Sequence, residues 1–168
     1  RTETSQRFFS VVQNKMHWAA HGHTAAEIVA QRADSAQPNM GLTSWKGEKV
    51  RKADVGVAKN YLTQEELDTL NRIVTIYLEF AELQALSRKP MYMADWVAKL
   101  DDFLRISDRD ILTHAGKMSH EGALAAAYAE YEKYRQKQIN EPSPVEQHFL
   151  EAVNQVKQIE QSNARKQD

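Results

Sequence analysis

Cysteine is absent from this chain, which removes disulfides, thiolate catalysis and cysteine zinc sites from consideration. Glycine and proline are scarce, at 6 and 4 residues in 168. A many-stranded β protein needs a turn roughly every ten residues, so the shortage argues against one. No apolar run approaches the roughly 18 residues that a membrane-spanning helix requires, and no membrane partner is expected. An excess of one charge is lacking as well. The 22 Lys and Arg stand against 23 Asp and Glu, for a formal net charge of −1. No global field therefore draws in nucleic acid or acidic lipid, and any basic surface is a local patch. The start, Arg1-Thr-Glu-Thr-Ser5, has neither an initiator Met nor an apolar signal core, and reads as the cut end of something longer.

The chain is rich in Ala, Glu, Gln, Lys and Leu, all of which favour helix. Helix starts are marked by Ser or Thr followed three residues later by an acid, so that each side chain satisfies the other's backbone N–H. Thr24-Ala-Ala-Glu27, Thr63-Gln-Glu-Glu66, Ser107-Asp-Arg-Asp110 and Ser143-Pro144-Val-Glu146 fit this pattern. Pro144 falls where its missing N–H costs nothing. An all-α fold of seven or eight helices in one orthogonal or bundle-like domain is predicted.

A first helix is expected over 5–20, with Phe8, Val12, Lys15/Met16 and Ala19 inward and Gly22 as its stop. A second runs from Thr24 to near Asp34, carrying Ile28 and Val29. Residues 35–52 lack periodicity and hold Pro38, Gly41 and Gly47; loops of this length are functional or disordered. A short helix follows at 55–61. The next, over 64–87, sets Leu67, Leu70, Val74, Tyr77 and Ala81 at alternating three- and four-residue steps, a seam for a neighbour. Pro90 stops it. Helices over 94–106 (Trp96, Leu100, Phe103 and Leu104 on one side), 109–115 and 119–140 come next. In the last of these Leu124, Tyr128, Tyr131 and Tyr134 form a stripe that reads as packing. A final helix after Pro142 carries Val145, Phe149, Val153, Val156 and Glu160 on a heptad-like face. Residues 1–141 thus form a helical domain. Residues 142–168 form a terminal helix that packs on it or on a second copy, and a homodimer through this helix is one expectation.

Several ordered blocks resemble the RhuM virulence-protein family. They include Val12-Gln-Asn-Lys-Met-His17-Trp18-Ala19, Thr24-Ala-Ala-Glu27, Arg32-Ala-Asp34, Pro38-Asn-Met-Gly-Leu-Thr43 and Val57-Ala-Lys-Asn-Tyr-Leu62. Leu70-Asn-Arg-Ile-Val74, Lys89-Pro-Met-Tyr-Met93 and Ala115-Gly-Lys-Met-Ser-His120 continue the likeness, which covers about residues 8–135. The resemblance implies a bacterial, cytoplasmic, virulence-associated protein of two parts, the first similar to phage antirepressor-type DNA-binding domains. That part is absent here, so any nucleic-acid partner it would engage cannot be assigned to this chain. The family supplies no agreed catalytic residue.

The residues themselves offer several candidate sites. His17 and His21 lie four apart on one helix face, a spacing that binds Zn²⁺ with His23 or Glu27 as a third ligand. A zincin needs Glu where Trp18 stands, and the plainer alternative is polar histidines bonded to helix-end carbonyls. No metal or cofactor is assigned. Thr24 and Glu27 are explained as a helix cap. Arg32 with Glu27 or Asp34 reads as an ion pair, or as part of a polar pocket beside the histidines and the Asn39–Thr43 loop. Arg109 to His114 resembles the Arg-polar-x3-His pattern of HEPN ribonucleases, a short pattern that recurs by chance. His17 to Gly22 spaces His and Gly as in Fic transferases, but the Asn and Arg expected after that glycine are missing. Trp45 among Lys46, Lys49, Arg51 and Lys52 suits nucleic-acid contact, although Glu48 dilutes the charge and solvated basic loops are common. The favoured reading is a regulatory or interaction module beside a DNA-binding part. The alternative is an enzyme acting on nucleic acid or nucleotides, a degenerate Fic-like transferase or HEPN-like RNase, with His17, His21, Glu27 and Arg32 as its candidate residues and Arg109 and His114 as weaker ones.

Overall fold

A computed structural model describes residues 3–140 and 144–164, with side chains at 3–140 and 145–159. Six α-helices and no strand occur among the described residues: α1 (Glu3–His21), α2 (Ala25–Arg32), α3 (Gln64–Leu86), α4 (Met93–Ile106), α5 (His120–Asn140) and α6 (Pro144–Ala164). The fold is all-α as expected, with six helices in place of seven or eight. Of the two missing helices, the one predicted at 55–61 is a single 3-10 turn, Ala58–Tyr61. The other, at 109–115, is irregular.

The reason for the second error is local. Ser107, read as a helix start, instead closes α4. Asp108 takes φ 53, and the Arg109 N–H reaches back to the Leu104 carbonyl at 2.9 Å. This is the hydrogen-bond closure of a helix C-terminus. The Ser143–Glu146 signal rests on a residue outside the described ones, as does the Glu160 side chain of the predicted stripe.

The contacts divide the chain into two units, residues 1–132 and 133–168. In the first, α1 packs against α2, α3 and α4, and α2 packs on the Ala58–Tyr61 turn. Ile28, Met40, Val55, Leu100 and Leu104 have no exposed surface, each such side chain contributing about 1.5–3 kcal/mol by burial. Met40, Leu42, Val50 and Val55 show that the irregular stretch after α2 is part of the core. The Thr43 hydroxyl ties it down by donating to the Leu62 carbonyl at 2.7 Å, and the Tyr61 hydroxyl does so by donating to the Val55 carbonyl at 2.7 Å.

On α3 the buried seam is Leu70, Ile73 and Tyr77. The Tyr77, Phe80 and Trp96 rings meet where α3 faces α4. Tyr128 and Tyr131 of the predicted stripe are half-buried, and the Lys52 ammonium lies 4.9 Å from the Tyr128 ring centre.

In the second unit, α6 carries Val145, Phe149, Leu150, Val156 and Ile159 exposed, with Val145 at 79% and Phe149 at 68%. No described helix is long and apolar enough to cross a membrane.

Candidate functional site

Gly22 ends α1 at φ 78, a left-handed conformation that a side chain resists, with its N–H on the Trp18 carbonyl at 2.8 Å. Thr24 then caps α2 as predicted. Its hydroxyl accepts from Glu27 N at 3.3 Å, and Glu27 Oε2 accepts from Thr24 N at 3.0 Å. The second carboxylate oxygen of Glu27 accepts from Lys117 N at 2.7 Å, 90 residues away. Gly116 makes that approach possible, because a Cβ there would lie 2.8 Å from Thr24 Cγ2. Burial alone would raise the Glu27 pKa, but the Lys117 and Thr24 N–H groups outweigh it and hold the carboxyl below its usual range. Glu27 is an anchored anion at a helix start, where the helix dipole also favours it.

His17 and His21 meet one turn apart. His17 Nδ1 and His21 Nε2 are 2.9 Å apart, and His23 Nδ1 donates to the His21 carbonyl at 3.1 Å. His17 is 1% exposed. Burial, then repulsion by His21 and Lys59, lowers its pKa to about 4. His21 falls to about 4 as well, through burial and then Arg32 and His23, with Glu66 opposing. Both rings are neutral at neutral pH, so one donates to the other through a single shared proton. His21 Nδ1 is buried without a hydrogen-bond partner among the described residues.

Arg32 makes neither of the pairings foreseen for it. It grips Glu66 of α3 through two parallel bonds of 2.7 Å and donates to the Tyr61 carbonyl at 2.8 Å. Such bidentate geometry is the strong form of an ion pair. The bonds from Arg32 hold the Glu66 carboxyl at about 2 against the opposing effect of burial, with help from Thr63 N. The Asn39–Thr43 loop sits at the same end of α2, where the Met40 carbonyl accepts from Asp34 N at 3.3 Å.

The predicted pocket therefore divides. His17 bonds His21, which feels the charges of the Arg32–Glu66 pair, whereas Glu27 borders a separate cleft of about 230 Å³ with Trp18, His23, Gln31 and Lys117. His17 lines a different cavity of about 270 Å³ with Gln13, Lys59 and His120. Among the described residues no group of three His, Asp or Glu side chains is placed to hold a metal ion.

Arg109 and His114 are both exposed in the irregular segment between α4 and α5. The spacing they would have on a helix is not realised there. The His114 ring instead meets Trp18 edge-on at 5.1 Å. In the basic loop, Trp45 is half-buried while Lys46, Lys49 and Arg51 are exposed. Lys52 turns toward Glu132 at 3.8 Å.

Sequence reasoning missed Glu66 as a partner because its capping role already accounted for it. Lys59, His120 and Asp101 carried no pattern of their own. Lys15 did give a signal, being a charge on the inward stripe of α1. It is buried, pairs with Asp101 at 2.8 Å and donates to the Leu112 carbonyl at 2.7 Å, pinning the segment before α5 against α1.

A model described as Virulence protein RhuM family matches residues 1–142. No curated protein and no solved structure matches the chain.

Proposed function

The chain belongs to the Virulence protein RhuM family, and we propose that it works as a non-enzymatic interaction module that associates with a second copy of itself through α6. The observation that carries this reading is the apolar face of α6, with Val145, Phe149, Val156 and Ile159 all exposed. Together with Ala152 these residues follow alternating steps of four and three, the spacing of a coiled-coil seam. A seam of this kind is self-complementary, so an identical helix fits it in a two-fold pair. Exposed apolar stripes of this length mark interaction surfaces on soluble domains.

Support over an enzyme acting on nucleic acid or nucleotides comes from the corner of α1 and α2. Glu27 is consumed by two backbone N–H groups, and Arg32 by Glu66 and Tyr61. Neither is left as an acid, base or substrate clamp. Self-association would bring together two copies of any DNA-binding part joined to the domain, the arrangement that a two-fold DNA site requires.

Sedimentation of the chain over a dilution series tests the proposal. A reversible monomer–dimer equilibrium is expected, and Phe149→Glu should weaken it at least about tenfold. A chain that stays monomeric at all concentrations, or a dimer indifferent to Phe149→Glu and Val156→Glu, would overturn it.

A further inference from the structure

The cavity of about 270 Å³ beside His17 has no part in the self-association reading. Three residues of its wall carry a polar group without a protein partner among the described residues. The first is the Ala26 N–H. In the first turn of α2, Ala25 N donates to Asn14 Oδ1 at 3.2 Å, Glu27 N to the Thr24 hydroxyl and Ile28 N to the Thr24 carbonyl. The N–H of Ala26, which lines the cavity, is left over. The second group is the Lys59 ammonium, which forms no ion pair and lies close enough to His17 to perturb it. The third is His17 Nε2. The imidazole is 1% exposed, its Nδ1 is taken by His21, and the ring forms part of the cavity wall. A ring nitrogen left without a protein partner on a cavity wall is available to a ligand that enters there.

The signs of these groups agree. A helix N-terminus, a lysine and an imidazole N–H all favour an anion. His120, the first residue of α5, brings a second helix start to the same cavity. None of the lining residues is acidic. Val29, Val57 and Leu124 make the remaining wall apolar, as expected of a site for an organic molecule with one charged end.

We propose that this cavity binds a small organic phosphate, its phosphoryl oxygens accepting from Ala26 N–H, Lys59 and His17 Nε2–H and its organic part lying against Val29, Val57 and Leu124. Binding selects the tautomer in which His21 Nε2–H donates to His17 Nδ1. The proton on His17 Nε2 then faces the ligand, and His21 Nδ1 keeps a bare lone pair. His21 is thereby a positioning residue that sets which nitrogen of His17 carries hydrogen.

Nitrogen-15 resolved NMR titrations of the full chain with inorganic phosphate, adenosine monophosphate and acetate test the assignment. The Ala26 amide and the His17 ring nitrogens should shift saturably with the two phosphates. Adenosine monophosphate should bind about tenfold or more tightly than inorganic phosphate, because only it reaches the apolar wall. Lys59→Met should weaken both about tenfold without moving the melting temperature, since Lys59 is exposed and has no ion-pair partner among the described residues. His21→Phe should weaken binding while leaving the Ala26 amide in the cavity. Absence of a saturable shift at Ala26, equal response to acetate, or binding untouched by Lys59→Met would each overturn the proposal. Sedimentation of the same samples keeps this result separate from the fate of the α6 seam.

Discussion

At the corner of α1 and α2, charged groups are paired one by one: Lys15 with Asp101, Arg32 with Glu66, Glu27 with two backbone N–H groups. Along α6 the position is reversed, and large apolar side chains stand in solvent. Burial makes the difference. A polar group withdrawn from water must find a partner within the fold, or it costs more than the fold gains. An apolar side chain left in water costs only the contact it forgoes, and a second molecule can supply that contact later. The corner is therefore a finished structure whose charged groups are satisfied from within, while α6 is an unfinished one.

The sharpest way to break the corner is to remove one member of the Arg32–Glu66 pair. Arg32→Ala leaves a part-buried carboxylate without its guanidinium and should cost about 2–3 kcal/mol in urea unfolding. The double variant Arg32→Leu, Glu66→Leu should recover much of that loss. Recovery would identify the cost as the orphaned charge and not the lost packing.

Acid should come second in size. Unfolded imidazoles take up protons near pH 6.5, whereas folded His17 and His21 resist until about 4. The unfolded state binds more protons across that interval, so stability is full above it and falls as the pH drops from 6.5 to 4. Glu66, at about 2 when folded, adds a further loss as pH falls from 4.5 toward 2. Thermal melts at stepped pH should resolve the first decline, and His17→Gln should shrink it.

A smaller effect is expected at the cap. Thr24→Ala should cost about 1 kcal/mol and loosen the Lys117 amide in hydrogen exchange, because Glu27 loses the partner that orients it. The smallest effect on stability, close to zero, belongs to Phe149→Glu on α6, even though it should have the largest effect on association. If that substitution destabilised the chain as much as Thr24→Ala does, α6 would be a packed element and the contrast drawn here would fail.

Local signals were legible wherever the interaction spans one turn. The Thr24 and Thr63 boxes form as written, because cap and acid are three residues apart and need nothing else. Ser107-Asp-Arg-Asp110 shows the limit of that logic. A Ser after an apolar helix ends it as readily as a Ser before one begins it, and Asp108 in the left-handed region decides the matter. The long stretch after α2 reads in sequence only as an irregular loop, because its buried residues Met40, Leu42 and Val50 have no period.

The chain alone determined that this protein is helical, where most of its helices begin, and that histidines crowd the turn between the first two. These follow from capping, propensity and spacing, which act within a few residues. Tertiary structure decided which partners those residues take. Arg32 finds Glu66 across 34 positions and Glu27 finds the Lys117 amide across 90. Only packing sets such distances, because no local rule relates residues that meet solely when separate helices bury a common face.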